Sequence, residues 1–258
     1  GISKSFGDKK IFDDITFGID EGDRIGLIGI NGTGKSTLLK IVAGNESADS
    51  GQIVKKNGLR IGYLPQTPDF DPEDTVLGQV FNCDSPVINL IKEYEQAVRE
   101  VELTGSEESQ KALYALNDKM DAADAWNIES DAKTILTKLN IPDFYKKAGT
   151  LSGGQIKRMA LARALITPVD LLILDEPTNH IDNDSVEWLE KYLAKYKGAL
   201  LMVTHDRYFL DRIVNKTLEL DEAKLYSYTT NYSGFLEAKA EREELAAAAE
   251  RKRRNFLR

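Results

Sequence analysis

Residues 26–44 read GLIGINGTGKSTLLKIVAG: an apolar run, a loop holding Gly29, Gly32 and Gly34, then a lysine and a helix-like stretch that Gly44 closes. The segment Gly29-Ile30-Asn31-Gly32-Thr33-Gly34-Lys35-Ser36 satisfies the pattern G-x-x-x-x-G-K-[ST]. Glycines at that spacing let backbone N–H groups turn inward around phosphate oxygens, and the N-terminus of the following helix adds its dipole. Lys35 is then placed to reach the β- and γ-phosphates of a nucleotide and Ser36 to bind Mg²⁺. Ile30, Asn31, Thr33 and Thr37 complete the phosphate-binding set.

Two further stretches match the apolar run that feeds this loop: LLILDE, Leu171 to Glu176, and ALLMVTH, Ala199 to His205. With IGLIGI they make three continuous apolar runs, the pattern of central strands in a sheet covered on both faces. Ligands of such sheets sit outside the carboxyl ends of the strands, and all three runs end there in chemistry. One ends in the glycine loop, one in Asp175-Glu176 and one in His205. Asp175 suits the Walker-B role of holding the Mg²⁺ hydration shell. Glu176 is the candidate to orient or deprotonate an attacking water, and His205 to contact the γ-phosphate. His180, within EPTNHID, reads as a loop residue without chemistry. Residues 11–19 alternate, with Ile15, Phe17 and Ile19 on one face, and predict a half-buried strand. Gln52–Val54 and Leu59–Leu64 predict further short strands.

From about Pro86 to Leu139 the period becomes helical. Ile88, Ile91, Tyr94, Val98 and Val101 form one stripe, TGSEES turns the chain, and Ala112, Leu113, Leu116 and Met120 start a second. An αα-hairpin is expected, then a helix through Ile135 and Leu139 that Pro142 closes off. Leu151-Ser152-Gly153-Gly154-Gln155 precedes another helical stretch, Ile156 to Ile166. Ser152 suits an N-cap, while Gly153 and Gly154 also suit a backbone cradle for an anion. One nucleotide does not need two cradles in one chain, so the second is expected to serve a nucleotide held by another domain.

The 258 residues are 41% hydrophobic and 29% charged, as in globular proteins, and contain no run long and apolar enough for a membrane span. The single cysteine, Cys83, has no motif around it and excludes an internal disulfide, which fits a reducing cytoplasm. The net charge of −8 argues against a uniformly basic nucleic-acid surface. Arg251 to Arg258 nevertheless carry five Arg or Lys and no acid, leaving −13 on the rest. That basic end reads either as a partner-binding element or as a solvated helix end. The chain starts and stops inside apparent elements, and a fragment of something longer is expected.

In order along the chain, GINGTGKST, YLPQ, LSGGQ, LLILDEP and VTHD resemble the motifs of an ATP-binding cassette (ABC) ATPase, and the resemblance covers essentially the whole chain. It implies an α/β P-loop fold with a parallel core sheet, a small antiparallel β subdomain and an α-helical subdomain. It also implies head-to-tail pairing with a second cassette, each ATP lying between one P-loop and the other cassette's LSGGQ. By matching positions, Gln66 is the Q-loop residue sensing Mg²⁺ and γ-phosphate, Asp182 belongs to the D-loop, and Ser152, Gly153, Gly154 and Gln155 meet the partner's nucleotide. Phe6, in KSFG, stands where the family usually has a tyrosine stacking on adenine, so the hydroxyl is lost.

EPTNHID further resembles the ABC-F group, soluble two-cassette proteins that act on ribosomes, and the stretch MDAADAWNIESDAKTILTKL is most like the Uup-type branch. The 84 residues between Gln66 and Leu151 leave room for an inserted helical arm. NYSGFLEAK leads, as in that group, into a charged interdomain helix, with Thr230 where glycine is common. On this reading residues 1–234 are the N-terminal cassette, with helical subdomain and arm at about 67–165, and 235–258 begin the linker. The implied protein binds and hydrolyses ATP with Mg²⁺ and meets ribosomal or transfer RNA through its arm and basic helix. The competing expectation is the nucleotide-binding subunit of an ABC membrane transporter.

Overall fold

The computed structural model describes residues 1–83 and 85–256, the last five of these by backbone alone. In chain order the elements are β1 (Ile2–Phe6), β2 (Lys9–Ile15), β3 (Arg24–Ile28), α1 (Lys35–Ala43), β4 (Ile61–Leu64), α2 (Val76–Val80), α3 (Pro86–Thr104), α4 (Glu107–Ala122) and α5 (Ile128–Lys138). They continue with α6 (Gly153–Ile166), β5 (Leu171–Asp175), α7 (Asn183–Ala194), β6 (Ala199–Val203), α8 (Arg207–Ile213), β7 (Lys216–Asp221), β8 (Lys224–Tyr228) and α9 (Tyr232–Phe256). Two compact units result: Gly1–Gln66, Val169–Thr178 and Val186–Arg258 form one, and Thr67–Pro168 with Asn179–Ser185 form the other.

The first unit is built on a six-stranded sheet of order β4-β5-β6-β3-β7-β8, parallel apart from the antiparallel β7–β8 pair. The three apolar runs are its neighbouring inner strands, and every residue of β5 and β6 is buried. Helix α1 turns Leu38, Leu39, Ile41 and Val42 into the same core, where they join Leu27, Ile173 and Leu201. β1 and β2 form a separate two-stranded antiparallel sheet whose Phe12 and Ile15 belong to that core.

Several strand boundaries differ from the expectation. β2 stops at Ile15, and Phe17 and Ile19 pack against the core from outside any strand. Residues 52–54 form no strand: the only pairing nearby is the isolated Ser3–Ser50 bridge, and Val54 is 85% exposed. Gly51 accounts for the break, since it is left-handed and a Cβ on it would lie 1.8 Å from the Gly1 carbonyl. β4 begins at Ile61 instead of Leu59, after the Arg60 N–H donates to the Asp170 carboxylate.

In the second unit α3 and α4 form the expected hairpin. Gly105 ends α3 in the left-handed region, and the Ser106 hydroxyl caps α4 by accepting from Ser109 N. Ile88, Ile91 and Met120 are buried, whereas Ala112 faces solvent. α5 stops at Lys138, and Asn140 turns left-handed before Pro142 is reached.

α9 starts at Tyr232, three residues before the expected linker boundary. Asn231 Oδ1 accepts from Gly234 N, and Thr230 fits because position 234 has no side chain: a Cβ there would lie 2.0 Å from Thr230 Oγ1. Leu257, Arg258 and the side chains of the basic run beyond Arg251 lie outside the described residues.

Candidate nucleotide site

β3 delivers the chain into the loop Gly29–Gly34, and α1 starts directly after it. Gly32 and Gly34 have φ of +80° and +96°, conformations that side chains resist. A Cβ on Gly34 would lie 2.0 Å from Ile11 Cγ2, and one on Gly29 2.5 Å from the Leu220 carbonyl oxygen. The loop is therefore wedged between β2 and β7 and closes as a tight backbone turn. Gly34 provides no side-chain cap, so the first N–H groups of α1, from Lys35, Ser36 and Thr37, are left for an anion. Ile30 and Asn31 are exposed on the rim, while Thr33 folds back to donate its hydroxyl to the Ile30 carbonyl.

Lys35 curls over the loop, its Nζ donating to the Gly29 carbonyl at 2.7 Å and to the Ile30 carbonyl at 3.2 Å. Burial lowers its pKa, opposed by the charges of Glu176 and Asp175. An incoming phosphate offers this ammonium a better acceptor than two neutral carbonyls.

Asp175 and Glu176 end β5 beside β6, with Asp175 in register with Val203 and Glu176 N donating to the Val203 carbonyl. Asp175 is 3% exposed, and among the described residues neither carboxylate oxygen has a partner in full hydrogen-bond geometry, although the Ser36 hydroxyl lies close enough to be felt. Burial raises its pKa; the neighbouring Ser36 hydroxyl and the charges of Lys40 and Lys35 act the other way. A buried carboxylate without partners is costly unless a cation is supplied. Asp175 with Ser36 thus fits Mg²⁺. Mg²⁺ ordinarily keeps several waters and takes phosphate oxygens from its substrate, so one carboxylate and one hydroxyl are an adequate protein contribution.

Glu176 leaves the strand at φ +54°, an unusual conformation for a residue with a Cβ, let alone one followed by proline. That turn lifts its carboxylate beside His205, whose Nε2 is 3.3 Å from Oε1 and whose N–H donates to Oε2 at 3.3 Å. Burial raises the Glu176 pKa, His205 lowers it, Asp175 raises it and Lys35 lowers it. A hydroxyl contact of 2.7 Å between Thr178 and Thr204, which sequence reasoning did not anticipate, ties the segments following β5 and β6.

Phe6 is 51% exposed at the end of β1, with Lys4 Nζ 5.2 Å from its ring centroid. Gln66 is exposed at the last residue of its segment of the first unit.

In the second unit Ser152 and Gln155 form a reciprocal capping box at the start of α6, with Gly153 and Gly154 as its first helical residues. The cap anticipated for Ser152 is present, and α6 begins three residues before the expected Ile156. His180, given no chemistry from sequence, is left-handed and stands against Gly154 closely enough that a Cβ on the glycine would be 3.4 Å away. The Asp182 carboxylate is occupied: it accepts from Ser185 N, Ser185 Oγ and Asn140 Nδ2. The Ser185 backbone bond is the main cause of its lowered pKa.

A profile of the ABC transporter family matches residues 12–179, and a second ABC transporter profile matches 218–258. The chain belongs to the ABC transporter family. Its sequence is 51% identical over its whole length to an uncharacterized ABC transporter ATP-binding protein, YfmR of Bacillus subtilis, and covers 41% of that protein. It is 39% identical over 93% of its length to the energy-dependent translational throttle protein EttA of Mycobacterium tuberculosis, covering 43% of it. The chain thus spans about two fifths of the curated relatives it matches, as one cassette of two would. The EttA relatives agree with the ABC-F resemblance. Among solved structures, an ATP-binding subunit of an ABC transporter aligns at TM-score 0.64 and 20% identity, covering 88% of this chain and 87% of that one. A dimeric post-hydrolysis ATP-binding cassette bound to ADP and Pi, MJ0796, aligns at 0.62 and 21%, covering 88% and 95%. The fold is the P-loop ABC α/β fold. Among the described residues no helix is long and apolar enough to cross a membrane.

Proposed function

We propose that this chain is the N-terminal cassette of a two-cassette ABC-F protein and that it binds and hydrolyses ATP as part of work on the ribosome. The carrying observation for hydrolysis is the Glu176–His205 pair at the ends of adjacent parallel strands, beside a phosphate-type loop. The loop Gly29–Gly34 with Lys35, Ser36 and Thr37 holds the phosphates, Phe6 stacks on the base, and Gln66 senses the γ-phosphate. Ser36, Asp175 and Gln66 would hold Mg²⁺, which when bound neutralises charge on the phosphate oxygens.

Glu176 accepts a proton from water as that oxygen bonds to the γ-phosphorus and the bond to the β-phosphate oxygen breaks, leaving ADP and phosphate. Burial favours this role, because a carboxylate with a raised pKa is the stronger base. His205 holds Glu176 and faces the γ-phosphate. Ser152, Gly153, Gly154, Gln155 and Asp182 face the nucleotide of the other cassette.

The ribosomal role is supported by the EttA relatives and by α9, which continues the chain from the cassette as a helix. The test is to trap the full-length protein with ATP through Glu176→Gln and sediment it with ribosomes. Co-sedimentation that requires ATP is expected. Failure to bind ribosomes, together with association with a membrane subunit, would replace this reading by that of a transporter subunit.

A further inference from the structure

Lys9 opens β2 and lies directly opposite Phe6 in the β1–β2 register, across the two-residue turn Gly7-Asp8. Opposed residues of an antiparallel pair share one face. From that face Lys9 Nζ reaches the phosphate loop and donates to the Gly32 carbonyl at 3.3 Å. One short hairpin thus presents, side by side, an exposed aromatic ring and an ammonium resting on the loop.

The charge balance around Lys9 is uneven. Its neighbour Lys10 is neutralised by Asp13 at 2.8 Å, and Lys4 by Glu46 at 2.8 Å. Lys9 has no ion pair among the described residues. Lys35 rests on two other carbonyls of the same loop. Two ammonium groups therefore bracket one short loop, each donating to neutral carbonyls that an anion would outcompete as acceptors.

We infer that Lys9 is a further nucleotide-binding residue, contacting the phosphate chain between the base platform at Phe6 and the loop at Gly32. This deepens the proposed function and rests on its reading of Phe6 and the loop as the ATP site. Contact on the base side of the loop predicts that Lys9 serves ATP and ADP alike, whereas Lys35 favours ATP.

The test is calorimetric titration of the chain, as wild type, Lys9→Met and Lys9→Arg, with MgATP and MgADP at low and high salt. Lys9→Met should weaken both nucleotides roughly two- to fivefold, the scale of one exposed charge pair, with the loss shrinking as salt rises. Lys9→Arg should restore most of the affinity, and ligand-free melting temperatures should match within error. Unchanged affinity in Lys9→Met would overturn the inference, as would an equal loss in Lys9→Arg or a loss insensitive to salt, since either marks a role in loop packing. A loss confined to ATP would overturn the base-side placement. No ATP binding by wild type would instead remove the underlying reading, and the inference with it.

Discussion

Glu176 Oε1 stands 3.3 Å from His205 Nε2, although 29 positions separate the two residues in the chain. Parallel pairing of β5 with β6 makes them neighbours, and the left-handed turn at Glu176 completes the contact. Because burial holds the Glu176 pKa above its ordinary range, the acidic limb of the pH–rate profile should lie above that of a solvent-exposed glutamate. His205 lowers that pKa, so His205→Ala should move the limb to higher pH while slowing turnover. Glu176→Gln should cost roughly 10²–10⁴-fold in single-turnover hydrolysis with ATP binding kept. A limb that stays in place in His205→Ala would show that the contact has no electrostatic consequence.

Asp175 gives a prediction of opposite appearance, a stabilising change at a position proposed to hold Mg²⁺. Its pKa is raised in the fold by burial, so its contribution to stability is present below its unfolded value and lost as pH rises through the folded one. Above that folded value the wild type carries an ionised carboxylate buried without a well-formed hydrogen bond. Asp175→Asn should therefore melt higher than wild type without ligand, and the gap should close as pH falls into the ordinary aspartate range. Adding MgATP should favour wild type, because binding stabilises whichever protein binds. Melting curves across pH, with and without nucleotide, check both halves.

The loop glycines separate geometry from flexibility. Gly29→Ala would drive a methyl into the Leu220 carbonyl, a backbone atom of the strand next to β3 that no rotamer change can remove. A loss of about 2–4 kcal/mol is expected by chemical denaturation. At Gly18 nothing lies within 4 Å of an added Cβ, and Gly18→Ala should be neutral or slightly stabilising.

The parts legible in the sequence were those that local pattern alone dictates. Buried runs such as LLIL and ALLMV announce inner strands, and the glycine loop carries its own geometry. Gln52–Val54 misled because Ile53 and Val54 have strand-like character while the backbone there finds no partner beyond Ser3–Ser50. β7 stayed hidden because a buried acid, Glu219, interrupts its apolar pattern. The acid makes sense only beside Lys239 and Arg242, which are distant in sequence and reach it from α9. Lys9 escaped notice for the same reason: its partner is a carbonyl of another element.

Glu219 leads to a prediction about the linker helix. Its carboxylate, 3% exposed, binds Lys239 Nζ and Arg242, while the Arg242 guanidinium lies 3.8 Å from the Tyr226 ring centroid and donates to the Tyr228 hydroxyl. The first turns of α9 are thereby fastened to β7 and β8. Glu219→Ala should cost roughly 2–4 kcal/mol, below the loss for a wholly buried pair because both cations keep part of their surface in water. Amide exchange should accelerate in residues 232–242 before it does in β3. Uniform acceleration throughout the sheet would mean that Glu219 serves the strands and not the helix.

Ser152 allows the cap and the proposed role toward a second cassette to be pulled apart. Its hydroxyl accepts from Gln155 N, and Gln155 Oε1 in turn accepts from Ser152 N. Ser152→Ala removes the cap and should cost about 1 kcal/mol. Asparagine also caps well, so Ser152→Asn should stay within roughly 0.5 kcal/mol of wild type. If Ser152 meets the nucleotide of a partner cassette, Ser152→Asn in the full-length protein should still impair hydrolysis, while ATP affinity of the present chain alone stays unchanged. Denaturation curves set beside steady-state hydrolysis decide the matter. Hydrolysis at the wild-type rate in Ser152→Asn, with Ser152→Ala impaired only as far as its stability falls, would reduce Ser152 to a helix cap.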